Sequence, residues 1–373
     1  MKAISRHCGL ITCFFCLTIN WSDSLQAAQQ GNGRHETKRP QIEVCFVLDT
    51  TGSMGGLIQG AKDKIWSIAN ELMNTDPKPN IKFGLIGYRD RGDNYVTQLN
   101  DLTDDIDAIH TKLMAFAAQG GGDFPESVNQ AILESVQKIS WSDGREVLKI
   151  VFLVGDAPPH MDYENDVRYP EICSLAMKKG LIINTIQCGV DSNTKTIWKE
   201  MARRSEGQYV AIQQSGGMVA IATPFDAEIA KVNGSLNRTV CGYGDMAIQQ
   251  SVKEKIASNA SSKFEAVADR AEFLSKGRGS GRGGAKVLGG DDDLVEMLID
   301  GRVKMAEIDQ AKLPEDVKKL NPEAQQAELK KRIAQRKAAQ AKIDDLVKKR
   351  ADFILQEKSR LAASGKVASF DET

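Results

Sequence analysis

The chain has 373 residues, which at roughly 150 residues per domain suggests two domains, or one large domain with an appendage. Its 49 Lys and Arg residues nearly balance 50 Asp and Glu residues, so the whole chain is not a basic protein of the kind that binds polyanions such as nucleic acids. Residues 1–250 hold 24 basic and 29 acidic residues and 18 of the 22 aromatic residues, whereas residues 251–373 hold 25 basic and 21 acidic residues, which indicates a globular part followed by a charged tail.

Residues 1–28 are expected to form a signal peptide. Lys2 and Arg6 precede an apolar run, Leu10 to Ile19, that is shorter than the roughly 20 residues of a membrane-spanning helix. Small residues follow at Ala27 and Ala28, as at a cleavage site. A single membrane anchor is the alternative. The pattern predicts a secreted or periplasmic protein whose mature chain has no membrane span.

Four cysteines remain after this segment is removed: Cys45, Cys173, Cys188 and Cys241. Cys45 and Cys188 lie in apolar runs, where a free thiol usually packs as a small hydrophobic group. A disulfide between Cys173 and Cys241 would suit an oxidising compartment, but four cysteines allow three pairings and the sequence does not choose between them.

Short apolar runs alternate with amphipathic segments from about residue 41 to 235. Near-continuous Val, Ile and Leu runs are typical of strands buried on both faces, so a doubly wound α/β domain is predicted, with a mostly parallel central sheet flanked by helices. The predicted strands are 42–48, 81–87, 95–99, 147–154, 181–188 and 209–212. The predicted helices are 57–73, 104–117, 126–139, 164–179, 194–205 and 217–233.

The pattern changes after this domain into a mainly helical C-terminal region. We expect a helical extension over 236–276, a Gly- and Arg-rich linker over 277–290, and charged helices over 291–373, including one over 294–311. A long helix is predicted over 323–362, with 11 basic and 4 acidic side chains between residues 330 and 360. A seam of spacing 3 and 4 along it is apolar at six of ten positions, too few for a firm coiled coil, so the helix is expected to dock on one surface of this chain or of a partner. The seam positions are Leu329, Ile333, Arg336, Gln340, Ile343, Val347, Arg350, Ile354, Glu357 and Leu361.

Oxygen-bearing side chains follow the first predicted strand. That strand ends in Asp49, and Thr51 and Ser53 come at alternate positions after it. Carboxylate and hydroxyl oxygens suit Mg²⁺ or Mn²⁺, although the same residue types also form turns and cap helices. Two further acidic loops, containing Asp123 and Asp156, favour the metal, because three such loops on one sheet can gather three carboxylates.

These motifs resemble the metal-ion-dependent adhesion site (MIDAS) of the von Willebrand factor type A (VWA) domain. The likeness covers about residues 40–235, and the segments 88–90, 121–126 and 155–160 are similar to the hemicentin-like and alpha-kinase-type subgroup. The resemblance implies a Rossmann-like fold and a Mg²⁺ surrounded by Asp49, Thr51, Ser53, Asp123 and Asp156. It also implies an open coordination position that an acidic side chain of a partner protein fills. Many adhesive members have Thr in place of Asp123, so ligand capture would be weaker here, or the metal mainly structural.

The loops that contain these oxygen-bearing residues do not match common enzyme motifs. A dehalogenase-type phosphatase needs Asp, and a Gly-x-Ser-x-Gly elbow needs Gly, where this chain has Thr51. No nucleotide-binding Gly-rich fingerprint follows the first strand. His160 could serve as a base, but Pro158-Pro159 before it is better explained as a rigid loop.

The sequence therefore predicts a non-enzymatic, exported VWA protein that binds a divalent cation and mediates metal-dependent protein interaction or adhesion, without nucleic acid. One alternative is a scaffold with a structural metal whose basic C-terminal helix makes the contacts. A metal-dependent hydrolase is the other alternative.

Overall fold

The apolar runs of the first half form a six-stranded sheet. The structure, a computed structural model, describes residues 39–74, 77–122, 124–213, 221–278 and 288–363, so the predicted signal peptide and most of the 277–290 linker lie outside it. The strand order is β3-β2-β1-β4-β5-β6, and all neighbouring pairs are parallel except β2 with β3. The strands are β1 Gln41–Asp49, β2 Asn80–Tyr88, β3 Thr97–Thr103, β4 Val147–Gly155, β5 Leu181–Cys188 and β6 Tyr209–Ile212.

Helices cover both faces of this sheet, as the sequence predicts. Alternate residues of β1 enter opposite cores: Val44 packs with Trp66 of the first helix, and Cys45 packs in the core that contains Trp198 of the fifth. The helices are α1 Gly55–Leu72, α2 Ile106–Ala115, α3 Val128–Gln137, α4 Tyr169–Lys178, α5 Ser192–Arg204 and α6 Asp226–Asn237. The doubly wound α/β prediction is confirmed.

The sixth predicted helix, 217–233, is wrong at its start. Residues 217–220 lie outside the described chain, and α6 begins only at Asp226. Pro224 disfavours helical backbone at Thr223. Instead, the N–H and hydroxyl of Thr223 donate to the Asp226 carboxylate at 2.7 and 2.8 Å, which fixes the start of the helix.

The C-terminal region is helical but more broken than predicted. Its helices are α7 Met246–Ala260, α8 Phe264–Arg278, α9 Leu294–Ile299, α10 Glu315–Lys318 and α11 Pro322–Ala363. The predicted helical extension over 236–276 thus contains two separate helices, α7 and α8. The predicted 294–311 helix ends at Ile299, because Gly301 adopts a φ of 72°, the left-handed conformation that ends helices, and short 3-10 turns follow it.

The long helix α11 docks on this chain itself. Ile343 and Leu346 pack with residues of α6 and α8, including Leu236 and Ala271. Nearer its start, Leu329 packs in a cluster with residues of α9 and α10. The part of its seam from Leu329 to Arg350 therefore faces the interior of the molecule.

The four described cysteines are all free and buried. A Cys173–Cys241 disulfide is therefore not formed, since the two thiols belong to different packed clusters. Among the described residues no helix is long and apolar enough to cross a membrane.

Candidate metal centre

The carboxyl ends of β1 and β4 bring the first site residues together. The two strands are parallel with Leu48 opposite Val154, so Asp49 lies next to Gly155, and Asp156 follows at once. The backbone N–H of Thr51 donates to Asp49 Oδ1 at 2.8 Å, and its hydroxyl donates to the same atom at 2.6 Å. Ser53 Oγ lies 3.3 Å from Thr51 Oγ1. The spacing of two residues therefore places the Thr51 hydroxyl on the Asp49 carboxylate and the Ser53 hydroxyl next to that of Thr51.

The second oxygen of Asp49 has the character of a cation ligand. Asp49 is fully buried, and within the described chain its Oδ2 atom has no hydrogen-bond partner. Burial raises the pKa of Asp49 to about 7, the hydrogen bonds from Thr51 oppose that rise, and the nearby Asp156 carboxylate adds to it. A buried carboxylate oxygen without a donor is costly, so a bound cation at Oδ2 would stabilise it.

Glu126 is a site residue that the sequence prediction missed. The helix predicted over 126–139 would place Glu126 in its first turn, but α3 begins at Val128. Glu126 is only 4% exposed, and its Oε2 atom has no hydrogen-bond partner among the described residues. Burial raises the pKa of Glu126 to about 9, helped by the carboxylates of Asp49, Asp90, Asp93 and Asp156.

Backbone pairing holds Glu126 in this position. Its N–H donates to Pro158 O at 3.0 Å, and the N–H of His160 donates to Glu126 O at 3.1 Å. In the sequence, Glu126 could be noticed only as a second carboxylate three residues after Asp123. Its burial depends on the loop at Pro158, which is distant in the chain.

Asp123 itself lies outside the described residues, but the glycine loop before it is placed. The N–H of Gly52 donates to Gly120 O at 3.0 Å, which ties the loop to the end of β1. Gly121 has a φ of 78°, and a Cβ there would lie 3.0 Å from Thr51 Cβ and 3.1 Å from Glu126 Oε1. The close approach requires glycine, and it brings the loop that carries Asp123 against the site.

The described residues fit a hard divalent cation in chemistry but do not complete its site. Across the described ranges, which omit Asp123, no three His, Cys, Asp or Glu side chains form a metal-binding group. The donors at hand are oxygens, and one of them is buried without a partner. Mg²⁺ and Mn²⁺ prefer such ligands, and Asp123 would supply a further carboxylate.

His160 is engaged in a separate cluster beside this centre. Its Nδ1 atom lies 2.8 Å from Asp162 Oδ1, and its Nε2 atom lies 3.5 Å from Asp90 Oδ2. The ring stacks on Tyr163 with centroids 4.0 Å apart, and the Tyr163 hydroxyl donates to Asp90 at 2.8 Å. Ser127 also donates to Asp90, at 2.8 Å. These contacts fix the loops after β2 and β4 relative to each other.

Arg89 cross-links two further loops at this edge. Its guanidinium donates to Thr50 O at 3.2 Å and to Ala117 O at 2.8 Å, and it lies over the Tyr95 ring at 4.4 Å. The segment after β1 and the glycine loop are therefore held by a buried cation that is not itself part of the oxygen cluster.

In a comparison of the sequence with family models, residues 43–224 match the von Willebrand factor A domain, which agrees with the observed fold. The chain contains a VWA domain. The domain spans the whole sheet, from β1 to just beyond β6, and the oxygen cluster lies at the edge where its parallel strands end.

Two curated proteins are similar to part of this chain. An ariadne-like RING finger protein of Acanthamoeba polyphaga mimivirus is 29% identical over 119 residues, 32% of this chain and 11% of that protein. Von Willebrand factor A domain-containing protein 7 of Rattus norvegicus is 36% identical over 93 residues, 25% of this chain and 10% of that protein. The match thus spans about a tenth of each relative.

Solved structures were also compared with the chain. Proximal thread matrix protein 1 from the mussel byssus, with a zinc-occupied MIDAS motif, has a TM-score of 0.37 and 16% identity, over 47% of this chain and 42% of that chain. The SpRpn10 VWA domain has a TM-score of 0.36 and 16% identity, over 47% of this chain and 92% of that chain.

Proposed function

We propose that the VWA domain binds a divalent cation, Mg²⁺ or Mn²⁺, and uses it to bind a partner protein. The ligands would be Asp49, Thr51, Ser53, Asp123 and Asp156. The observation that carries the proposal is the buried, unpartnered Oδ2 atom of Asp49 beside hydroxyls and further carboxylates. When bound, the cation would neutralise these carboxylates and offer a Lewis-acidic position to an acidic group of the partner.

Exposed apolar side chains near this edge support a protein as the partner. Phe124, in the glycine loop, is 54% exposed, and Val190, in the loop after β5, is 97% exposed. Both loops lie at the edge of the sheet where the parallel strands end, as Asp49 does. Large apolar groups around a polar centre are common in protein-binding surfaces. The partner would therefore present an acidic group with apolar neighbours.

The expected location is outside the cytoplasm, as a secreted or periplasmic protein. This part of the proposal depends on the pattern of residues 1–28, which lie outside the described chain. Mass spectrometry of the N-terminus of the purified native protein tests it, and a retained Met1 would contradict it.

Calorimetric titration with Mg²⁺ and Mn²⁺ tests the metal site. The wild type is expected to give a saturable heat, and Asp49→Ala is expected to lose it because it removes the central carboxylate. Asp143→Ala, an exposed acid before β4 at the opposite edge of the sheet, is the matched control and should bind as the wild type does. Equal heats for the wild type and Asp49→Ala would contradict the assignment.

Pull-downs with and without EDTA, followed by mass spectrometry, test the metal-dependent partner. Chelation and Asp49→Ala should both abolish capture, and Phe124→Ser should weaken capture while leaving the metal heats unchanged. Capture that persists in EDTA would instead favour the scaffold alternative, in which exposed basic side chains of α11 make the contacts. A phosphatase and esterase screen with either metal checks the hydrolase alternative, for which we expect no turnover.

A further inference from the structure

A basic pocket lies at the edge of the sheet opposite the metal centre. It is a cavity of about 650 Å³ between the segment that precedes β4 and the turn that joins α4 to β5. Four cationic side chains line it, together with one acid, Asp143. The cations are Arg145, Lys149, Lys178 and Lys179.

Lys149 is the side chain that makes this pocket unusual. It is only 7% exposed, and its Nζ atom makes one long hydrogen bond, 3.4 Å, to Lys179 O. Within the described chain, no carboxylate oxygen lies within 4.0 Å of Lys149 Nζ, so this lysine forms no ion pair there. An ammonium group has three N–H donors, and burying it without an anion is costly. Lys149 Nζ therefore has donors left for the acceptors of a ligand in the pocket.

The neighbouring acid, Glu43, is not a counter-ion for Lys149. Glu43 lies opposite Lys149 in the strand register, but its carboxylate accepts from the N–H and hydroxyl of Ser142 at 2.9 and 2.5 Å. It also pairs with Lys82 on its other side, at 3.5 Å. The Glu43 charge is thus shared with a second lysine, and the pocket keeps an excess of positive charge.

Helix ends reduce that excess without removing it. Lys179 donates to Val136 O at the end of α3, at 2.8 Å, so part of its charge faces helix carbonyls. A helix end carries about half an elementary charge, which is less than one lysine. Arg145 and Lys178 are exposed and add to the field.

Apolar side chains also line the pocket, beside Ser140 and Ser142. Trp141 lines it, with its indole N–H already donating to Ser135 O at 2.7 Å, and Met177 lines it too. A cavity of this size falls in the range of small-molecule sites, roughly 300–1,000 Å³. A ligand that matches both the cationic and the apolar side chains of the pocket has a compact, multiply charged anionic group attached to a small organic group.

We propose that the basic pocket binds a small phosphate monoester, with Lys149 as its buried contact and Arg145 and Lys178 at its entrance. Phosphate oxygens would accept the hydrogen bonds that Lys149 has available, and Trp141 and Met177 would contact the organic part. The pocket lies at the opposite edge of the sheet from Asp49, so this binding does not depend on the metal.

Calorimetry on the full chain tests the proposal, in EDTA and at constant ionic strength in chloride buffer. The probes are inorganic phosphate, phosphoserine and AMP. The wild type should bind AMP, and Lys149→Met should bind it at least tenfold more weakly. Lys195→Met, which removes an exposed lysine of α5, is the matched control for net charge and should leave the affinity unchanged. Asp49→Ala should also bind as the wild type does.

Arg145→Gln provides a second test because its side chain is exposed and its loss should not affect folding. It should weaken AMP binding several-fold. Equal affinity for all three probes would assign the phosphate group alone as the recognised element, and tighter AMP binding would add the base; both support the pocket. Absence of binding, unchanged affinity in Lys149→Met and Arg145→Gln, or an equal loss in Lys195→Met would overturn the proposal.

Discussion

At the scale of single residues, Gly155 determines how closely β4 approaches the metal centre. A Cβ at this position would lie 2.4 Å from the Tyr88 hydroxyl oxygen and 3.0 Å from Asp49 Oδ2. Both neighbours are buried at strand ends and have no free space to move into. The absence of a side chain at Gly155 is therefore part of the architecture of the site.

We predict that Gly155→Ala lowers the free energy of unfolding by about 1–3 kcal/mol, because it overpacks the interior beside Asp49. It should also weaken Mg²⁺ binding by displacing the carboxylate. Urea unfolding and calorimetry measure the two effects. Gly122→Ala is the control, since a Cβ there meets nothing within 4 Å, and it should change stability by less than about 0.5 kcal/mol. Wild-type stability of Gly155→Ala would contradict the prediction.

The site was only partly predictable from the residues. Asp49, Thr51, Ser53 and Asp156 follow apolar runs directly, so the rule that parallel strands end at one edge brings them together. Glu126 follows no strand. Its burial results from the pairing of its backbone with Pro158, 32 residues away in the chain, and no local pattern reports such a contact.

At the scale of secondary-structure elements, the arginines of the α11 seam explain why an interrupted apolar pattern still docks. Arg336 is fully buried and pairs with Asp293 at 2.5 Å and Glu296 at 2.9 Å. Arg350 pairs with Asp226 of α6 at 2.8 Å and with Asp269 of α8 at 2.6 Å. At these two positions of the seam, buried ion pairs take the place of apolar side chains.

We predict that Arg350→Met destabilises the protein by about 3–5 kcal/mol, because it removes the guanidinium that pairs with the buried carboxylates of Asp226 and Asp269. Urea unfolding measures the change. Lys349→Met, at the adjacent position, is the matched control. That lysine is exposed, and its ion pair among the described residues is with Asp345 of α11 itself, so its loss should cost less than about 1 kcal/mol. Equal effects of the two substitutions would show that the buried ion pairs do not hold α11.

The sequence predicted some secondary-structure elements and their contacts better than others. Val-, Ile- and Leu-rich runs predicted the parallel strands well, because burial on both faces leaves no polar alternation. The antiparallel strand β3 was predicted over 95–99 but lies at Thr97–Thr103, where the sequence is polar and little buried. The partners of Arg336 and Arg350 could not be predicted, since Asp226 lies 124 residues before Arg350. The helix predicted over 294–311 also failed, because Gly301 stops it after two turns.

At the scale of the whole molecule, the uneven charge of the two regions is used to join them. Arg270 of α8 pairs with Asp107 of α2 through two hydrogen bonds of 2.7 and 2.6 Å. Lys255 of α7 pairs with Asp105 at 2.5 Å. In both pairs the C-terminal region supplies the cation and the VWA domain supplies the acid. The near-neutral total charge thus includes oppositely charged surfaces that are already in contact.

His110 lies in this same interface and makes it sensitive to acid. Its ring is 1% exposed, 5.6 Å from the Trp66 ring, and its Nδ1 atom lies 3.4 Å from Ser258 Oγ of α7. Burial lowers the pKa of His110 from 6.5 to about 4, and the Asp107 carboxylate opposes this only in part. Between these pH values the unfolded chain binds a proton that the folded chain does not, so stability is lost as the pH falls.

We predict that the wild type loses about 2 kcal/mol of stability between pH 7 and pH 5 through His110 alone, given at most about 1.4 kcal/mol per pH unit for one proton. Urea unfolding of the wild type and of His110→Gln at pH 7, 6 and 5 isolates this contribution. The variant should be less stable than the wild type at pH 7 because its packing on Trp66 is poorer, and the difference should shrink by about 2 kcal/mol at pH 5. Ser258→Ala keeps the imidazole and should retain the full pH dependence. A difference between the wild type and His110→Gln that stays constant with pH would contradict the prediction, because it would mean that the pKa of His110 is the same in the folded and the unfolded chain.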